Sequence, residues 1–258
     1  MIGKQIRMER IMDRNTGKAV IIPMDHGMTL GQIDGLLCMS ETIAAVSDGG
    51  ASAIILHKGL VRTGHRRKGR DIGLIIHLSA GTSMNPDPND KVLTCTVEEA
   101  ISLGADAVSI HINLGAAQES KMMESAGMVV RDCNRWGVPL LAMIYPRGPG
   151  INPTDPRHVG HAVRVAEELG ADMVKTNYTG DIESFKKIVA ASSIPVLIAG
   201  GEKAGDLETL QIIHDASHGA ACSGVCMGRN AFQRTDTAAF VNKVCRVVHD
   251  KAAPESLI

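Results

Sequence analysis

Aromatic side chains are nearly missing from this chain: one Trp, two Tyr and three Phe make up 2% of 258 residues. A core without them must be built from Val, Ile, Leu, Ala and Met, which suits a parallel sheet enclosed by helices better than a β-sandwich. The same scarcity removes the rings on which nucleobases stack. A formal net charge of −1 leaves no broad basic face, so no nucleic-acid partner is expected. No run approaches the roughly 18 apolar residues of a membrane span. The first ten residues are charged and lack the apolar centre of a secretory leader. The six cysteines (Cys38, Cys95, Cys133, Cys222, Cys226, Cys245) never form a CxxC pair and read as small buried hydrophobes of a reducing compartment. A cytoplasmic protein without a membrane partner is expected.

What the chain does have is a recurring short apolar strand followed by a helical pattern. Strands are expected at Ala19–Met24, Ala53–Leu56, Gly73–Ile76, Ala107–Ile110, Val138–Ile144, around Met173–Lys175, at Pro195–Ala199 and at Ala221–Met227. Helices are expected at 4–12, at 40–47, from Val97, and at the end through about His249. A long polar segment holding Pro86 and Pro88 follows the third strand. Eight such units predict one (β/α)8 TIM barrel over residues 1–258, with the short N-terminal helix covering one end. Four near copies support this: Asp48-Gly49-Gly50-Ala51, Leu103-Gly104-Ala105-Asp106, Leu169-Gly170-Ala171-Asp172 and His218-Gly219-Ala220-Ala221. Each is expected to end a helix on a glycine C-cap and turn into an even-numbered strand.

Active sites of such barrels lie at the C-terminal ends of the strands. Those ends carry Asp25, His57, Lys58, His77, His111, Tyr145, Arg147, Lys175, Gly200-Gly201 and Gly228-Arg229. Lys175 closes a strand of apolar residues, and Asp181 can cap the helix that follows. An ammonium in an apolar place is costly. Its desolvation favours the neutral amine, which attacks ketones to form a Schiff base. The plain alternative is a lysine whose stem packs and whose head reaches water. Lys175 as nucleophile, Tyr145 as proton donor and Asp25 as base supply what imine-forming carbon–carbon chemistry requires. Gly200-Gly201 and Gly228-Arg229-Asn230 follow the seventh and eighth strands, where barrels bind phosphate on backbone N–H groups. Arg229 adds a charge-assisted contact. Those glycines otherwise only serve tight turns.

A rival arrangement uses His57, His77 and His111 as zinc ligands, although no motif of the HExxH kind supports it. The basic stretch from Arg62 to Arg70 reads as a solvated loop or subunit contact, or as a rim that draws in an anionic substrate.

Asp25-His26-Gly27, Tyr145-Pro146-Arg147-Gly148, Lys175 with Tyr178-Thr179-Gly180-Asp181, Gly200-Gly201 and Gly228-Arg229-Asn230 together resemble the archaeal-type class I aldolases. These are Schiff-base barrels of the group that includes deoxyribose-phosphate aldolase, and the resemblance covers nearly the whole chain. It implies that Lys175 forms the imine with a ketose phosphate, that Asp25 accepts and Tyr145 donates protons, and that Pro146 and Arg147 line the sugar. It also implies that Gly200, Gly201, Gly228 and Arg229 hold phosphate, that no metal or other cofactor is used, and that the chain assembles as a homo-oligomer, a decamer by family precedent. Two branches compete. One cleaves fructose 1,6-bisphosphate. The other comprises 2-amino-3,7-dideoxy-D-threo-hept-6-ulosonate synthases, which transfer part of 6-deoxy-5-ketofructose 1-phosphate to L-aspartate semialdehyde on a route to 3-dehydroquinate and the aromatic amino acids. Pro23-Met24-Asp25-His26-Gly27, Leu56-His57-Lys58-Gly59, Ile76-His77-Leu78-Ser79, Val108-Ser109-Ile110-His111 and Val174-Lys175-Thr176 look more like the synthase branch. One departure is Gly201-Glu202-Lys203, where the family often has a central proline. Glu202 brings an anion to the phosphate corner and weakens Lys203 as a ligand. A non-catalytic phosphosugar sensor is the alternative of a different class, and it would need no strand-end lysine.

Overall fold

The computed structural model describes residues 1–63 and 71–258; the rest of the basic stretch, 64–70, lies outside the described residues. Eight parallel strands close into a barrel: β1 (Ala19–Pro23), β2 (Ala53–Leu56), β3 (Gly73–His77), β4 (Ala107–Leu114), β5 (Leu140–Pro146), β6 (Met173–Thr176), β7 (Val196–Ala199) and β8 (Gly224–Cys226). They neighbour one another in chain order, and β8 pairs back onto β1. The expected barrel is therefore the fold. Helices pack around it over an outer core rich in Val, Ile, Leu and Ala. A separate inner cluster fills the barrel with Ile21, Ile55, Ile75, Leu141, Met173 and Leu197, as a packed barrel interior requires.

Four details differ from the sequence expectation. The N-terminal helix is Ile2–Met8, and the chain then turns so that Ile11, fully buried, plugs the barrel floor. That burial contributes roughly 1.5–3 kcal/mol. β4 runs on to Leu114 and so contains His111. The polar segment is not a plain loop: Ser79–Ala80 pairs antiparallel with Val92–Leu93. Around Gly219 the chain makes a π turn over Asp215–Gly219, and Ala221 takes the left-handed φ of 60°. Gly50, Gly104 and Gly170 do adopt positive φ, as the repeat predicts.

The repeat has a second physical basis. The Val20 N–H donates to Ser52 Oγ, the Leu74 N–H to Asp106 Oδ2 and the Leu140 N–H to Asp172 Oδ2, each across 32 residues. Asp106 and Asp172, the last residues of their glycine turns, and Ser52, the residue just after its own, thus hold the start of the preceding strand. The two aspartates also anchor the floor. Lys4 Nζ lies 2.7 Å from Asp172 and Arg10 Nε 2.6 Å from Asp106.

Candidate active site

Strand alternation decides which side chains enter the barrel. On β6, Met173 belongs to the inner cluster and Val174 to the outer core. Lys175 therefore points inward, with 8% of its surface exposed. On β5, Leu141, Met143 and Tyr145 point inward, and Met143 is the register partner of Lys175. On β8, Cys226 points inward. Beyond β1, whose Ala19 and Ile21 point inward, the same alternation brings in Asp25. Asp25 sits at the N-cap position of the helix His26–Leu30 but makes no capping bond. Asp181 does cap its helix, accepting from the Ser184 N–H at 2.8 Å. His57, His77 and His111 also extend inward-facing rows.

A cleft of about 420 Å3 opens over these strand ends, lined by Asp25, Tyr145, Arg147, Lys175, Arg229 and Lys91 among others. It gathers most of the expected ring. Lys58 instead pairs outward with Glu99 at 2.8 Å. Gly200 and Gly201 line a neighbouring cavity of about 270 Å3 on the helix side of β7 and β8. Pro146 ends β5 and sets the next residue, whose backbone N–H bonds the Leu114 carbonyl. Gly228 is needed for close approach, because a Cβ there would lie 2.3 Å from the His26 ring and 2.7 Å from the Pro23 carbonyl.

The charges oppose one another. Burial works to raise the Asp25 carboxyl, but His77, His26, Lys175 and His57 bring it down to about 2. Burial lowers the histidines, His77 to about 4 and His111 well below its ordinary value. The imidazoles are thus neutral at neutral pH, which leaves Lys175 as the cation that keeps Asp25 ionised. Burial also raises the Tyr145 phenol and carries the Cys226 thiol up to about 11. For Lys175, burial acts downward, while Cys226, Tyr145 and Asp25 act upward and win. The net depression expected from desolvation is therefore not what the surroundings produce. Thiol and phenol are protonated at neutral pH, so of these upward influences the Asp25 carboxylate is the one charged there. A proton must leave Lys175 before it attacks a carbonyl.

The histidines are engaged with other groups. His77 Nδ1 lies 2.8 Å from Ser109 Oγ, and its Nε2 lies 3.8 Å from Asp25 Oδ2. His111 Nε2 lies 2.8 Å from Asn113 Oδ1, and its ring centroid lies 5.1 Å from that of Tyr145. The rings of His57 and His77 meet edge to face at 5.3 Å. Among the described residues, no group of three or more His, Cys, Asp or Glu is placed to hold a metal ion.

Two side chains carry more than their sequence positions suggested. Asn230 donates to the carbonyls of Gly200 and Glu202 at 2.6 and 2.7 Å and accepts from the Ala204 N–H at 2.9 Å. It fixes the loop after β7, and its place in Gly228-Arg229-Asn230 was the only sign of this. Lys91 reaches the cleft from the antiparallel pair, a position that strand counting does not find.

A closed parallel barrel with a buried lysine, a tyrosine and a carboxylate at one mouth defines the Schiff-base aldolase class. The chain belongs to the DeoC/LacD family of aldolases, whose pattern matches residues 19–234. It is 47% identical, over 99% of its length and 95% of the relative's, to a 2-amino-3,7-dideoxy-D-threo-hept-6-ulosonate synthase of Halobacterium salinarum. It is 41% identical, over 96% and 91%, to a 2-amino-4,5-dihydroxy-6-oxo-7-(phosphonooxy)heptanoate synthase of Streptomyces griseus. In structure it matches an archaeal fructose-1,6-bisphosphate aldolase whose catalytic lysine carries the carbinolamine of its substrate, with TM-score 0.84, 31% identity and coverage of 95% and 99%.

Proposed function

We propose that this protein is a transaldolase-type synthase that uses Lys175 as its Schiff-base lysine, converting 6-deoxy-5-ketofructose 1-phosphate and L-aspartate semialdehyde to 2-amino-3,7-dideoxy-D-threo-hept-6-ulosonate. The full-length likeness to the Halobacterium salinarum synthase carries this reading. Lys175 loses a proton and adds to the ketone next to the methyl group, and loss of water gives the protonated imine. The bond between the carbons α and β to the imine then breaks. Its electron pair forms an enamine, Asp25 takes the proton of the hydroxyl on the β carbon, and that carbon leaves as the carbonyl of a three-carbon aldehyde phosphate. The enamine carbon then attacks the semialdehyde carbonyl, whose oxygen takes the proton back from Asp25. Water hydrolyses the imine and restores Lys175. Tyr145, kept protonated by burial, donates in imine formation. The site works without a metal in this reading, because the protonated imine is the electron sink.

Pro146 and Arg147 flank the sugar. Gly200, Gly201, Gly228 and Arg229 form a corner that receives the ketose end next to the imine carbon. Fructose 1,6-bisphosphate carries a phosphate at that end, so this corner supports the second reading, a class I fructose-bisphosphate aldolase, together with the 31% identity to the archaeal enzyme. A cytoplasmic homo-oligomer, with a decamer as the family precedent, completes the proposal; Ile2 and Ile6 on the N-terminal helix are exposed and available to such contacts. Analytical ultracentrifugation tests the assembly.

Borohydride trapping tests the function. Incubation with either ketose, reduction and peptide mapping should place the adduct on Lys175. Preferential labelling by 6-deoxy-5-ketofructose 1-phosphate, with turnover only when L-aspartate semialdehyde is present, supports the synthase. Cleavage of fructose 1,6-bisphosphate without an acceptor supports the aldolase.

A further inference from the structure

The cleft has two cationic ends. Arg229 follows β8, and it acts on His26 beside β1. Lys91 and Arg147 lie above β4 and β5, where both act on His111. In a closed eight-stranded barrel these places are opposite each other across the mouth. Lys91 is 8% exposed, and its ammonium bonds the Pro88 carbonyl at 2.8 Å. The Arg147 guanidinium stacks 4.7 Å from the Tyr145 ring centre. Neither has a carboxylate partner within 4.0 Å among the described residues. Burial, and then repulsion from Arg147, lowers Lys91. Asp90 and Asp87 act on Lys91 from beyond ion-pair contact, and two like charges held together with no carboxylate in contact favour an anion between them.

The reaction proposed above supplies two. The bond that breaks and the bond that forms share one enamine carbon, so the departing and arriving aldehydes must occupy the same place in turn. The departing one ends in phosphate and the arriving one in a carboxylate. Resting on that reading, we infer that Lys91 and Arg147 form one exchange subsite, which first holds the phosphate of the departing aldehyde and then the carboxylate of the arriving amino-acid semialdehyde. Asp25 keeps the transferred proton between the two steps, and no other reactant is needed. The names of both synthase relatives describe seven-carbon 2-amino acids that differ at carbon 7, so the carboxylate end is the part common to the two products.

The test compares wild type, Lys91→Met, Arg147→Met and Arg229→Met with two acceptors, L-aspartate semialdehyde and the uncharged glycolaldehyde. The Lys91 and Arg147 variants should raise the KM for the semialdehyde about tenfold more than that for glycolaldehyde. Inorganic phosphate should compete with the semialdehyde in wild type and more weakly in Lys91→Met. Equal changes for the two acceptors, or an acceptor defect confined to Arg229→Met, overturn the exchange subsite alone. A wild type that cleaves fructose 1,6-bisphosphate but never transfers to the semialdehyde overturns the synthase reading and this inference together.

Discussion

Lys4 and Asp172 lie 2.7 Å apart and join the N-terminal helix to the start of β6, three residues before Lys175. Asp172 also accepts the N–H of Leu140 at the start of β5. Both strands that carry the proposed lysine and tyrosine are therefore fixed from the floor. Asp172→Asn should lower unfolding stability by about 1–3 kcal/mol, because a half-buried donor loses its charged acceptor. Urea titration of Lys4→Met, Asp172→Asn and the double variant should show coupling; strict additivity would mean that the contact contributes nothing.

Lys175→Arg should keep the fold, since the barrel interior around Met173 and Leu197 is untouched, and should abolish turnover. A guanidinium stays protonated and forms no imine. Circular dichroism and borohydride trapping check the two halves of this statement. Retained turnover would end the imine mechanism.

Gly228→Ala should damage the site without reaching the outer core. The added methyl would meet the His26 ring and the Pro23 carbonyl, and the carbonyl cannot swing aside. We expect a loss of about 1–3 kcal/mol and a raised KM for the ketose. Gly200→Ala should also cost stability, because its Cβ would lie 2.5 Å from the Met227 Cβ.

The buried histidines set the acid side of the stability curve. His77 stands near 4 in the folded protein against 6.5 for the free side chain. In that window the unfolded chain binds a proton that the folded one refuses, so stability falls as pH drops from 6.5 toward 4. The loss is on the order of 3 kcal/mol. Asp25 adds a further loss at lower pH, between 3.8 and about 2. Urea midpoints measured across pH 4 to 7 should slope for wild type and less steeply for His77→Asn, where His26, His57 and His111 still contribute. The same slope in both would place the titration elsewhere.

The sequence made the barrel and the central trio legible because both rest on local pattern. Short apolar strands ending on Asp25, Tyr145 and Lys175 need only alternation to aim those side chains inward. Lys91 was not legible, since the pairing of Ser79–Ala80 with Val92–Leu93 that carries it to the cleft is non-local. The charge state of Lys175 was read with the wrong sign. Desolvation is visible in the apolar run around it, but the opposing carboxylate, Asp25, sits 150 positions away, just past the end of β1. Likewise Gly219 matched its repeat in sequence, while the left-handed turn falls on Ala221.

The two-residue alternation of the strands has a consequence for how this chain tolerates changes of length. Adding or deleting one residue in a surface helix shifts the exposed turns and leaves every strand in phase. One residue added between Met173 and Lys175 would exchange the two faces of β6, turning the amine toward the helices and an apolar side chain toward the cleft. Two added residues would restore the phase but lift the amine by one pleat, about 6.6 Å. The working chemistry is thus written in whether a position is odd or even as much as in which residue occupies it.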